Sequence, residues 1–142
     1  LKVRDIVVCG HSDCGAMKAF LHPDKLAEMP NVAAWLRHAH AAESVVNAAY
    51  SSLQETEKVH ALAMENVIAQ IQHLRTHPSV AAALARGELS LHGWFFEIET
   101  GTILAFDGAT REFVSVADDG VLLVALSSDE ATAPASRRAV AQ

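Results

Sequence analysis

The sequence predicts one α/β domain: a core strand of a parallel sheet, connecting helices, and a terminal antiparallel strand pair. Three observations predict it. A short β-branched apolar run over residues 3–9 is stopped by Gly10, the pattern of a fully buried strand. Residues 32–75 carry apolar side chains at three- and four-residue spacing, the period of helices packed on a core. From Leu91 the register changes to aromatic and β-branched runs separated by glycine-containing turns, which reads as a hairpin.

After the first strand, residues 14–21 read as a helix, with Ser12 or Asp13 placed to cap its N-terminus. Pro23 and Pro30 punctuate residues 22–31, which read as a loop or short turn. Val32, Trp35, Leu36, Ala39, Val46 and Ala49 line one amphipathic helix, and residues 50–54 form a weak break. A second long helix spans about 56–75, with Leu62, Val67, Ile71 and Leu74 near one face. His77-Pro78 interrupts it, since the residue before proline is pushed out of the α region. A short helix over 79–86 ends at Gly87, a natural C-terminal stop. Strands over 91–99 and 102–106 flank Thr100-Gly101, Asp107-Gly108 marks another turn, and 112–116 read as a further short strand. The domain is expected to span residues 1–126. The Ala- and Ser-rich tail, 127–142, with Pro134 and Arg137-Arg138, is expected to be disordered.

Composition narrows the function classes. Of the 142 residues, 51% are hydrophobic and 20% charged, which describes a well-cored globular chain. Seventeen acids against eleven Lys and Arg give a net charge of −6 without a basic stripe, which argues against nucleic acid or an anionic membrane as partner. No apolar run approaches the roughly 18 residues of a spanning helix. Two cysteines five positions apart, with no visible export signal, fit a reduced cytoplasmic protein. The chain begins at Leu1, already running into a strand, and reads as cut.

One motif joins ligand chemistry to a backbone context: Gly10-His11-Ser12-Asp13-Cys14-Gly15. Its glycines have the spacing of the first part of a phosphate-binding P-loop, but Ala16 and Met17 stand where Lys and Ser or Thr are required. The dinucleotide fingerprint also fails, because Ser12 occupies its middle glycine. Redox use of Cys9 and Cys14 lacks the C-x-x-C spacing, and a cysteine within a buried strand behaves as a small hydrophobe. Metal binding by His11 and Cys14 remains: a strand ending in His-x-x-Cys aims an imidazole and a thiolate into one pocket, a donor set suited to zinc. The competing reading of His11 is a loop histidine hydrogen-bonded to backbone. His38, His40, His60 and His73 read as solvated or helix-edge residues, His77 as a turn residue and His92 as a strand start. Trp35, Trp94, Phe95 and Phe96 read as core or subunit-interface residues, and Glu55/Glu57 and Asp118/Asp119 as solvated charge.

The segment Asp5-Ile-Val-Val-Cys-Gly-His-Ser-Asp-Cys-Gly-Ala-Met-Lys18 closely resembles the second zinc-ligand segment of β-class carbonic anhydrases of the bacterial and plant-like branch. The resemblance continues through Trp35-Leu-Arg37, Glu65-Asn-Val-Ile-Ala-Gln70, Thr76-His-Pro-Ser-Val80, Leu91-His-Gly-Trp94 and Ala105-Phe-Asp-Gly108, to about Leu126. It implies a zinc enzyme interconverting CO2 and bicarbonate, with a β-carbonic-anhydrase-like sheet and a dimeric or larger homo-oligomeric assembly. By this resemblance His11 and Cys14 are two of three protein ligands, Cys9 is none, and Gly10 and Gly15 pack close to the metal in the substrate pocket. The family's upstream Cys-x-Asp-x-Arg segment, which supplies the third ligand and the Asp-Arg pair, has no match here. The chain is therefore expected to be the C-terminal part of the enzyme, without its N-terminal strands, without catalytic residues of its own, and inactive alone. An inactive homologue serving as a scaffold or bicarbonate-binding module is the rival reading.

Overall fold

The computed structural model describes residues 2–116. The expected tail over 127–142 and the Asp118/Asp119 pair lie outside the described residues. Within them, strand β1 (Asp5–His11) is followed by helices α1 (Gly15–Phe20), α2 (Pro23–Leu26), α3 (Pro30–Leu36), α4 (His40–Ala49), α5 (Glu55–Thr76) and α6 (Pro78–Ala85). Strands β2 (Ser90–Glu97), β3 (Thr102–Asp107) and β4 (Glu112–Ser115) complete one four-stranded sheet in the order β1-β2-β3-β4. β1 and β2 are parallel, from Asp5 opposite Ser90 to His11 opposite Phe96. β2, β3 and β4 are antiparallel neighbours, so the α/β class and the terminal antiparallel strands are as the sequence predicts.

Helix α5 is the long element that covers one face of the sheet. Its entry is held by a capping box: the Gln54 backbone N–H donates to Glu57 Oε2 at 2.9 Å while the Gln54 side chain accepts from the Glu57 backbone. Glu57 therefore has a structural partner and is not simply solvated charge. Val59, Leu62, Ala63, Val67 and Ile71 are its buried residues; the period predicts Leu62, Val67 and Ile71 among them, while Leu74 is half-buried. They meet Leu91 and Phe95 of β2, both fully buried. At Gly93 an added Cβ would lie 2.8 Å from Ile71 Cδ1 and 3.1 Å from Val67 Cγ1. The helix therefore rests almost on the sheet backbone.

Three expectations need correction. The strand predicted to be fully buried is an edge strand among the described residues, and its exposure alternates along its length. Ile6, Val8 and Gly10 turn towards α5, whereas Val7 is 42% exposed on the other face. That second face continues through Phe96, Ile103 and Val114, each 37% exposed, which the pairing register places on the same side. The single amphipathic helix predicted from Val32 is broken by a 3-10 turn over Arg37–Ala39. There the Gln70 side-chain amide donates to the His38 carbonyl at 3.1 Å, tying the turn to α5. Finally, the segment after Pro23 is not a plain loop. It forms the short helix α2, with proline in the first turn and Leu26 buried as its anchor.

Candidate metal centre

His11 is the last residue of β1, and Cys14 is the N-cap of α1, with φ −67° and ψ 113°. The strand end and the helix start thus fix the positions of the two soft donors within four consecutive residues. Between them Asp13 adopts φ +56°, a left-handed conformation that Asp tolerates better than most residues, and its carboxylate pairs with Lys18 Nζ. Ser12 is buried. Its backbone N–H donates to the Phe96 carbonyl at 2.9 Å, and its Oγ accepts from the Ile98 backbone N–H at 2.9 Å. Neither Ser12 nor Asp13 caps α1, contrary to expectation: Cys14 occupies the N-cap and makes no side-chain cap bond.

The His11 ring has its Nδ1 2.8 Å from the Ser12 carbonyl oxygen. A carbonyl can only accept, so Nδ1 carries the proton and donates, which leaves the Nε2 lone pair as the ring's free donor to a metal. The Cys14 side chain is half-buried against the core cluster that includes Met17, Phe20 and Phe95. Cys9, by contrast, lies within β1 opposite Trp94, exposed, with its thiol directed to the Gly10 carbonyl at 3.4 Å. Desolvation against its neighbours pushes the Cys9 thiol upward. Among the described residues no three His, Cys, Asp or Glu side chains converge closely enough to hold a metal ion. His11 and Cys14 fit a zinc ion by donor chemistry, as two ligands of a site that needs a third.

The two glycines flanking the motif differ. At Gly10 the crowding comes from α5, where an added Cβ would approach Val67 Cγ2 to 2.7 Å and the Ala63 carbonyl to 3.3 Å. At Gly15 an added Cβ would meet nothing within 4 Å. Gly15 instead opens onto a groove of about 290 Å³ beside the loop, lined also by Lys18, His22, Glu55 and Val59.

A carbonic anhydrase family model matches residues 1–103. The chain belongs to the β-class carbonic anhydrases. It is 54% identical over 118 residues to a carbonic anhydrase of Pseudomonas aeruginosa PAO1, covering 83% of this chain and 53% of that protein. It is 52% identical over 117 residues to carbonic anhydrase 1 of Escherichia coli O157:H7, covering 82% and 53%. Its fold is similar to that of the β-carbonic anhydrase CcaA, with a TM-score of 0.77 at 42% identity over 81% of this chain and 52% of that one. One of two tetrameric β-carbonic anhydrases from Sordaria macrospora superposes with a TM-score of 0.62 at 30% identity, covering 73% and 52%. The chain spans about half the length of these carbonic anhydrases.

Two further histidines have partners that their places in the sequence do not show. His92 lies near the start of β2, as its third residue, and is 4% exposed. Its Nε2 donates to Asp5 Oδ1 at 2.8 Å, which ties the parallel pair together across its N-terminal end. His60, half-exposed at a helix edge as expected, also packs its ring at a tilt against Phe95, with centroids 4.9 Å apart, and approaches Glu97 at 3.3 Å. In the sequence Ser12 reads as a candidate helix cap and not as an anchor of the donor loop. The available signal was a small polar residue enclosed between two candidate ligands at a strand end.

Proposed function

We propose that the full-length protein carrying this sequence is a zinc enzyme that interconverts CO2 and bicarbonate, with His11 and Cys14 as two of its protein ligands. The observation that carries this reading is the loop itself. A histidine whose Nδ1–H is committed to the Ser12 carbonyl stands three residues before a cysteine at a helix start, in a chain of this family. The third ligand and the Asp-Arg pair that the resemblance implies are assigned to sequence outside these 142 residues, consistent with relatives about twice as long.

When bound, zinc supplies a nucleophile at neutral pH by acidifying a water molecule. The residues of this chain orient the site. The Ser12 carbonyl holds the imidazole in one tautomer and one plane, the outer-shell partner that metal-binding histidines require. The pinned backbone of Ser12 holds that carbonyl in turn.

The open sheet face formed by Val7, Phe96, Ile103 and Val114 supports a homo-oligomer, as do the tetrameric relatives. No helix among the described residues is long and apolar enough to cross a membrane. The test is zinc analysis together with stopped-flow CO2 hydration of the purified full-length protein. One zinc per subunit with rapid hydration is expected. A metal-free, inactive full-length protein would sink the enzyme reading and favour the scaffold or bicarbonate-binding rival.

A further inference from the structure

We infer that Ser12 is a positioning residue that couples the His11–Cys14 loop to the start of the β2–β3 turn, so that the turn sets the geometry of the two metal donors. The inference rests on the zinc reading above and deepens it. Ser12 is the buried polar residue of the loop, and it makes two hydrogen bonds to the same short segment. Its N–H reaches the Phe96 carbonyl, extending the β1–β2 ladder by one residue, and its Oγ takes the Ile98 N–H just beyond the end of β2. The turn that follows is closed on itself, with the Gly101 N–H donating to the Glu97 carbonyl at 2.8 Å.

The local alternatives are weak. Cys14 has no side-chain bond to the helix start it caps, and Asp13 turns outward to Lys18. What fixes the peptide plane between Ser12 and Asp13, and hence the carbonyl that orients the His11 ring, is the anchorage of Ser12 to 96–98. A hydroxyl is needed because the strand ends at Glu97 and the Ile98 N–H has Ser12 Oγ as its acceptor.

The experiment uses the full-length protein loaded with zinc or with cobalt(II) as the probe metal. Ser12→Ala should release zinc to a chelator about 10–100-fold faster, the usual effect of losing an outer-shell partner. It should also shift and weaken the thiolate-to-cobalt absorption, which a merely structural defect distant from the metal would leave alone. Ser12→Thr, which keeps the hydroxyl, should restore both. A variant-free measurement guards against misfolding of Ser12→Ala: in the wild type, amide exchange at Ile98 should slow roughly tenfold on zinc loading. Unchanged zinc release and cobalt spectrum in a folded Ser12→Ala, or an Ile98 amide indifferent to zinc, would overturn the inference while leaving the zinc reading standing. A wild type that takes up neither metal overturns the zinc reading itself.

Discussion

Gly10 lies directly beneath Val67: a Cβ built on the glycine would come within 2.7 Å of Val67 Cγ2. The contact joins the residue immediately before His11 to the middle of α5, so the packing of the long helix and the placement of the donor loop share one constraint. Gly10→Ala should destabilise the fold by about 1–3 kcal/mol through overpacking. The added Cβ would meet the Val67 and Phe95 side chains and the Ala63 carbonyl, with Val67 the nearest, so Val67→Ala should relieve part of the clash. A coupling energy of about 1 kcal/mol in the double-variant cycle, read by urea denaturation, is expected. Gly15→Ala offers the contrast, since its Cβ would enter open space. It should fold as well as the wild type, and any loss of CO2 hydration in it would then report on the pocket and not on packing.

The pH dependence of stability should carry the signature of Glu65. Burial against the α4–α5 packing pushes its carboxyl above the ordinary carboxylate value, while Arg111 and the Tyr50 hydroxyl, 3.5 Å from Oε1, oppose the shift. A raised carboxyl pKa means that the folded state holds its proton longer than the unfolded state. Stability therefore falls as pH rises from the ordinary value through the raised one, and stays lower by a constant amount above it. Glu65→Gln should remove that fall, most visibly as a higher urea midpoint on the neutral side of the window. An identical pH profile in the two proteins would show that the half-buried carboxyl is not charged at a cost.

The two cysteines should separate cleanly. Cys9 occupies a strand position opposite Trp94, whereas Cys14 sits at the helix start with its side chain towards the core. In the full-length protein Cys9→Ala or Cys9→Val should leave the zinc content near wild type, and Cys14→Ala should abolish it. Zinc loss in a folded Cys9 variant would reverse the assignment.

Most of the fold was legible because each long element carries its own period. α5 was readable from its apolar face and from Pro78, and the β2–β3 hairpin from Thr100-Gly101 with apolar runs on both sides. The edge position of β1 was not legible. A β-branched run reads as buried whether its far side is covered by this chain or by other protein, and Val7 alone does not distinguish them. The 3-10 break after Leu36 was hidden for a different reason. The Gln70–His38 contact that supports it joins residues far apart in sequence, which no local window contains. At the site, the donors were readable from residue type and spacing, while Ser12 required the distant partners Phe96 and Ile98 to reveal its part.

The exposed sheet face predicts association. Phe95 is fully buried towards α5, while its neighbour Phe96 is 37% exposed on the side shared with Val7, Ile103 and Val114. Helix α5 covers the Phe95 side, whereas on the other side His92 and Ala105 are buried but Val7, Phe96, Ile103 and Val114 stay partly exposed. The full-length protein should sediment as a dimer or larger at micromolar concentration. A stable monomer there would contradict the proposal that this face contributes to an assembly.

Prepared as an isolated polypeptide, residues 1–142 should show no measurable CO2 hydration with added zinc. The described residues bring no three metal-binding side chains together, and the second cysteine, Cys9, stands in a strand with its thiol turned to the Gly10 carbonyl. Two donors do not hold zinc in the tetrahedral geometry the reaction needs, and a missing thiolate removes much of the affinity. Loss of the aspartate and arginine implied by the resemblance would cost a further ~10–100-fold even with metal in place. Folding points the same way. Among the described residues β1 is an edge strand with an exposed apolar residue, Val7, and a strand edge left unpaired templates association with other chains. The polypeptide should therefore be poorly soluble, or should pair with a supplied segment carrying Cys-x-Asp-x-Arg. The comparison is stopped-flow hydration by residues 1–142 against the longer protein at equal zinc. Equal rates would mean that a third ligand is recruited from within these residues, and would move the complete metal site into this chain.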